Sequence, residues 1–320
     1  MKRTALRTFL ILSTTIVLAP ACLAQSDNFD DNNDTGWTRY DPLGGLGAGS
    51  QGRWSFSNGT YRIQASRNPA IPAGAGPART GSYRTNDYTD FYMSADIVNW
   101  DESMDQAIGF LARMTQLGLG TTDGYALTYQ VPGHDIDITR FTDEGGGPMG
   151  ELTSIPLSPS DDITMVPGRS YRFVWIGKGS EFTVRIYELP NLDTPILSAT
   201  ASDNVYTNGV CGFLVYDNSG SDAAGVADAT FDNYFATKSE PIPPPPLFID
   251  RAPVEGVVAV SWSTNLTGFV LQAAPNLSTP SPMWTDLIDP IFVNEQTGRY
   301  EYIEFTDSGQ RFFRLRRPPD

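Results

Sequence analysis

The sequence predicts an all-β protein, and three observations carry that expectation. Short runs rich in Tyr, Phe, Val, Ile and Thr recur along the chain. Dense Gly, Pro, Asn, Asp and Ser punctuation separates them, and no convincing amphipathic helix follows the first two dozen residues. Many short antiparallel strands, each with one buried face, pack as a sandwich.

The chain begins with a leader. Lys2, Arg3 and Arg7 precede an apolar stretch from Phe9 to Leu18, and Ala19-Pro20-Ala21 and Cys22-Leu23-Ala24 offer overlapping small-x-small cleavage signals. That order reads as a secretory signal peptide over 1–24. A membrane span needs about twenty apolar residues, and no later segment supplies them. The expected location is therefore outside the cytoplasm: extracellular, at the cell surface or in the periplasm. Cys22 directly follows a small residue, as in a lipoprotein signal, but Ala19 stands where Leu is usual; lipidation there is the minor alternative.

Composition narrows the partners. The formal net charge is −15, and removing the leader's three cations makes it −18. Such a chain repels nucleic acid and anionic lipid, and only Arg314, Arg316 and Arg317 cluster positively. The chain has two cysteines, and after cleavage Cys211 pairs with no second cysteine beyond Cys22. No internal disulfide framework is expected, so core burial must supply the stability.

Strand by strand, Asp90–Val98 puts Phe91, Met93, Ala95 and Ile97 on one face. Gln106–Met114 does the same with Ile108, Phe110, Ala112 and Met114. Ser170–Leu189 reads as a hairpin, with Tyr171, Phe173 and Trp175 outbound, a turn at Gly177–Ser180, and Phe182, Val184 and Ile186 returning. Further strands are expected at Trp54–Ala65, Tyr125–Val131, Ile136–Phe141, Val210–Tyr216 and Ala229–Ala236. A proline-rich linker over 238–247 then separates a large domain, 26–237, from a small β-module, 248–320. Within that module, Val257–Trp262, Gly268–Ala273, Tyr300–Phe305 and Phe312–Leu315 read as strands.

An ordered set of segments carries a family resemblance. It comprises Asp27-Asn28-Phe29-Asp30-Asp31, Gly36-Trp37, Trp54-x-Phe56-x-Asn58-Gly59-x-Tyr61, Asp123–Leu127, Ile136–Arg140 and Ala229–Phe235. Over nearly all of 26–237 this order resembles the concanavalin A-like lectin/glucanase superfamily, laminin-G-like branches included. The resemblance implies a large antiparallel jelly-roll sandwich whose first and last segments pair. The small module, with Leu271–Leu277, Trp284 and Phe312–Arg316, resembles a short carboxy-terminal β-module of exported proteins of Verrucomicrobia and related bacteria.

Retaining glucanases of that superfamily carry Glu-x-Asp-x-Glu on one strand, because alternate residues share a face and bring two carboxylates to about 5–5.5 Å. Here the comparable strand reads Asp135-Ile136-Asp137-Ile138-Thr139. Thr139 falls where the acid/base is expected, and Thr donates no proton at a useful pKa. Asp135 and Asp137 then read as a solvated strand face, and no catalytic residue is assigned. His134 is the single histidine, which leaves little for a triad or a histidine-rich metal centre. Cys211 sits in an apolar run and reads as core, and Gly145-Gly146-Gly147 reads as a flexible loop.

Calcium is the one metal expectation. Asp30-x-Asn32-x-Asp34 has calcium-loop spacing, although Thr35 and Asp41 stand where an EF-hand has Gly and Glu. Concanavalin-like folds often hold a structural calcium, in some branches near the joined termini. The resemblance thus implies Asp27, Asp30, Asp34 and Asp232 as ligands of one ion; the alternative is an acidic solvated turn. For glycan binding, sugars stack on aromatic rings while planar polar groups read their hydroxyls. The candidates are Trp100, Arg113, Tyr125, Tyr129, Asp137 and Arg140, with Trp37, Trp54 and Trp175 assigned to the core.

Three functions are compatible with this reading. The first is a secreted, non-catalytic module binding carbohydrate or polysaccharide. The second is a glycoside hydrolase with an unrecognised carboxylate pair, and the third a structural or adhesive surface protein without a small ligand.

Overall fold

A computed structural model describes residues 24–46, 52–71, 74–146, 149–220, 225–252, 254–277, 283–287, 290–305 and 310–317. Nearly all of the leader, with Cys22, lies outside them, as does Gly147.

Fifteen described strands form two facing antiparallel sheets. In chain order they are β1 (Gln25–Asp27), β2 (Trp37–Tyr40), β3 (Gly52–Ser57), β4 (Thr60–Ser66) and β5 (Arg79–Tyr88). Next come β6 (Phe91–Trp100), β7 (Gln106–Thr115), β8 (Asp123–Gln130), β9 (Asp135–Thr142) and β10 (Glu151–Ile155). The last are β11 (Tyr171–Lys178), β12 (Glu181–Glu188), β13 (Leu197–Ser202), β14 (Gly209–Asp217) and β15 (Val226–Thr237). One sheet runs β13-β12-β11-β6-β15-β4-β3, with β1 also on β15; the other runs β10-β9-β8-β7-β14-β5-β2. The sandwich is a jelly roll, and its first strand pairs with its last, Asp27 opposite Tyr234.

Alternation explains most of the core. Phe91, Met93, Ala95 and Ile97 of β6 lie on one inner face beside Tyr171, Phe173 and Trp175 of β11 and Phe182, Val184 and Ile186 of β12, all fully buried. Phe213 of β14 stacks across the sandwich on Phe231 of β15 at 4.4 Å, and within its own sheet on Trp37 of β2 at 5.1 Å between ring centroids. Contacts of this kind add about 0.5–1.5 kcal/mol beyond area burial. Trp175 is core; Trp37 and Trp54 are partly buried against it. Cys211 is buried in the same cluster.

The structure adds strands that the sequence reading did not name, β2, β5, β10 and β13 among them, and departs from it in ways that three places explain. Trp54–Ala65 is not one strand but a hairpin, β3 and β4, turned at Asn58 (φ 52°) and Gly59 (φ 73°). Asn-Gly favours that turn because both central residues must take the left-handed region. Met114 does not join Ile108, Phe110 and Ala112. The pairing of β7 with β8 shifts between Ala112 and Thr115, and Arg113 sits at φ 49°. This bulge turns Arg113 inward and sends Met114 to the opposite face with Leu111 and Leu214. Finally, β5 gave no strand signal because its buried positions Thr80 and Ser82 are polar. Their hydroxyls are satisfied, Thr80 by the Tyr40 carbonyl and Ser82 by the Tyr61 hydroxyl.

Beyond residue 247 two smaller sheets share a separate core. The strands are β16 (Phe248–Arg251), β17 (Val257–Ser263), β18 (Val270–Ala274), β19 (Thr285–Asp286), β20 (Ile291–Asn294), β21 (Arg299–Phe305) and β22 (Phe312–Arg316). They pair as β16-β17-β21-β20 and β19-β18-β22. Val260, Trp262, Leu271 and Leu315 are buried together, and the Arg314 guanidinium lies 4.2 Å from the Trp284 ring centroid.

Candidate functional site

The outer face of the seven-stranded sheet carries a groove of about 560 Å³. Its depth follows from small side chains: the outward positions of β7 include Ala107 and Gly109, and β8 adds Ala126. A Cβ at Gly109 would fall 2.1 Å from the Leu127 carbonyl oxygen, so the sheet itself keeps that position bare. Leu214 completes an apolar floor, Phe141, Tyr216 and Leu152 form the walls, and Thr128, Gln130, Asp137, Thr139, Ser154 and Asn218 supply polar edges. The period of two along β8 and β9 places these groups outward, because Leu127, Tyr129, Ile136 and Ile138 point into the core.

Asp137 has no hydrogen-bond or ion-pair partner among the described residues. Burial pushes its carboxyl above the usual range, and the charges of Asp135 and Asp161 push further in the same direction. Asp135 is also raised, by burial first and then by Asp161. Thr139 lines the groove two residues beyond Asp137, where the glucanase pattern has its second Glu. Asp217 lines it too; its Oδ2 is buried and has no hydrogen-bond partner among the described residues.

A second hollow, about 340 Å³, shares Pro77, Leu152 and Tyr216 with the groove. Its floor is the Glu144 carboxylate, which accepts from Tyr40 Oη at 2.6 Å, Arg79 Nε at 2.7 Å and the Gly120 N–H at 2.7 Å. Glu144 itself is left-handed, φ 52°, within the single helical turn Asp143–Gly145. A residue held in that region needs surrounding contacts to keep it there, and these three hydrogen bonds supply them. The carboxylate thereby ties β2, β5 and the 118–122 loop at the groove's end.

Of the six residues expected to contact a ligand, only Asp137 lies in the groove. Tyr125 and Tyr129 are buried between the sheets because their strand parity is that of the core, and Trp100 and Arg113 are turned in beside them by shifts of register in β6 and β7. Burial raises the hydroxyls of Tyr125 and Tyr129 to about 12. Arg113 is wedged near the Phe91 and Phe182 rings and donates to the Thr89 carbonyl at 3.0 Å. The Tyr129 hydroxyl meets His134 Nδ1 at 2.7 Å, and Trp100 Nε1 donates to Glu102. Arg140 joins Tyr125 rather than a ligand: both donate to Asp203, each at 2.5 Å.

The four carboxylates expected to share a calcium are each engaged by donors of the protein. Asp27 accepts from the Phe29 N–H, from Trp37 Nε1 and from Arg84. Asp34 is held by Arg39 and Tyr61, and Asp30 by Asn28. Asp232 accepts from the Asn233 N–H. Among the described residues no group of three His, Cys, Asp or Glu side chains is placed to share a metal.

No family model matches the sequence, and no curated protein matches it. Solved structures that align with it include the carbohydrate-binding module CBM66 from Bacillus subtilis. That alignment has 16% identity and a TM-score of 0.40 over 62% of this chain and 95% of that one. LamAcat from Zobellia galactanivorans aligns at 11% identity and TM-score 0.43, covering 66% of this chain and 96% of its own. Lectin II from Ulex europaeus aligns at 13% identity and TM-score 0.42, covering 68% and 98%.

Proposed function

We propose that this is an exported, non-catalytic carbohydrate-binding protein whose ligand lies in the groove across the seven-stranded sheet. The observation that carries the reading is the pairing within that groove of an apolar floor with a fringe of short hydroxyl, amide and carboxylate groups. A sugar ring presents the matching surfaces, C–H faces above and hydroxyls at the edge. The groove is open rather than filled by bulky side chains, which argues against a pure spacer. Its β9 strand contributes one carboxylate and a threonine to the lining, so a paired-carboxylate hydrolase lacks its acid/base there. The leader over 1–24 supports export.

The test is a polysaccharide array probed with the chain lacking residues 1–24, beside Thr139→Trp, which fills the groove. Retention on at least one polysaccharide, abolished by the tryptophan, is the expected result. Release of new reducing ends from a bound glycan would replace binding with hydrolysis. No retention on any glycan would favour the structural reading.

A further inference from the structure

The groove has a charge character that goes beyond shape. Its lining includes Asp137 and Asp217 and, among the described residues, no lysine or arginine. The nearest cation in the adjoining hollow, Arg79, is consumed by Glu144 at 2.7 Å. Asp137 is half-buried, projects from the middle of β9 and has no partner among the described residues. The neighbouring acids add to the same field rather than offsetting it: Asp135 lies two residues back on the same face, and Asp161 and Asp162 pack beside it. A carboxylate left unpaired in a partly desolvated groove is costly unless a ligand satisfies it. Asp217, whose Oδ2 is buried and out of a ligand's reach, adds a further carboxylate beneath the lining.

We propose that the groove selects glycans bearing ammonium groups, chains of unacetylated amino sugars, and turns away uronate chains. This rests on the glycan-binding reading above and gives it a chemical class. An amino sugar keeps the apolar ring face that the Ala107, Ala126 and Leu214 floor can take, and its ammonium donates to Asp137 in a charge-assisted bond. A uronate would instead bring its own carboxylate against Asp137 with no cation in the lining to offset it. The raised carboxyl of Asp137 agrees with this, since a bound ammonium would return it toward its ordinary value.

The experiment is calorimetric titration of the chain, wild type and Asp137→Asn, near pH 6 and at low salt. The probes are the β-1,4 glucosamine tetramer, its fully N-acetylated counterpart, a galacturonate tetramer and tetralysine. The glucosamine tetramer is expected to bind about tenfold more tightly than the N-acetylated chain, the factor a charged hydrogen bond provides. Asp137→Asn is expected to bring that ratio close to one, and the galacturonate tetramer to give no heat of binding. Galacturonate binding as tightly as glucosamine would overturn the inference. Binding of the N-acetylated chain with no preference for the ammonium form would also overturn it, while leaving the glycan reading intact. Tetralysine binding as tightly, with the same loss in the variant, would replace the amino-sugar chain with basic peptide. If none of the sugars binds and the polysaccharide array is also silent, both readings fall together.

Discussion

Glu144 Oε1 accepts a hydrogen bond from Arg79 Nε at 2.7 Å, and both side chains are almost wholly buried at the end of the groove. Breaking a buried pair from one side strands the other charge, at a cost of about 3–5 kcal/mol. Glu144→Ala is therefore expected to lower stability by that order in chemical denaturation. It is also expected to loosen the 118–122 loop, read as faster amide exchange at Gly120, whose N–H the same carboxylate accepts. A loss below about 1 kcal/mol would show that the pair is not the clamp described.

Asp203 gives the chain an acid-sensitive joint. Burial alone would raise its carboxyl, but hydrogen bonds from Tyr125 and the Val205 N–H and the nearby Arg140 charge outweigh burial, and it lies below its ordinary value. A carboxyl lowered in the folded state holds its proton less tightly there than in the unfolded chain. Its stabilisation is complete above the unfolded pKa, about 4, and is lost as pH falls through the folded value. The gap in melting temperature between wild type and Asp203→Asn should be widest at pH 6–7 and shrink toward pH 3. A gap independent of pH would refute this.

Asp137 runs the opposite way. Its carboxyl is raised, by burial first and then by Asp135 and Asp161, so the folded chain binds that proton more tightly than the unfolded one. Stability then falls as pH rises through the window between the unfolded value and the raised one. Asp137→Asn should melt higher than wild type at pH 7 and equally at pH 3. A group that weakens the fold and lines a groove is what a binding site accepts in exchange for function. Lower melting of the variant at pH 7 would count against an unpaired Asp137.

The small core beyond residue 247 offers a separate test. Trp262 is buried with Val260, Leu271 and Leu315, and truncating a buried Trp costs about 3–5 kcal/mol. If that part folds as its own unit, Trp262→Ala should lower one calorimetric transition and leave the transition of the sandwich in place. Glycan retention should be unchanged. A single transition shifted as a whole would mean the two cores unfold together.

Much of the sandwich was legible in the sequence because period-two alternation reports burial directly: Phe91 to Ile97 and Tyr171 to Ile186 all lie where that pattern puts them. The pattern failed where burial is polar, as at Thr80 and Ser82 of β5, and where a bulge at Arg113 resets the phase for Met114. The site was less legible. Trp100, Tyr125 and Tyr129 are the large rings one expects to meet a sugar, yet aromatic size marks the core as strongly as it marks a ligand face. The groove instead comes from Ala107, Gly109 and Ala126, whose signal is missing bulk. Once Leu127 and Tyr129 are known to point inward, Ala126, Thr128 and Gln130 must point outward. Parity held that information, but its sign did not.

The sequence by itself determined the all-β class, the pairing of the Asp27 and Tyr234 segments anticipated from the resemblance, and the replacement of the strand's last acid by Thr139. These depend on local period, order and residue identity. Only the tertiary structure decided which face of each strand meets the second sheet, because alternation is symmetric until a partner covers one side. That choice buries Tyr125 and Tyr129, with Trp100 and Arg113 turned in beside them by shifts of register, and leaves Asp137 in an open groove without a partner among the described residues. It also scatters Asp27, Asp30, Asp34 and Asp232 among partners of their own, since carboxylates close in sequence turn to whichever donors the fold brings nearest.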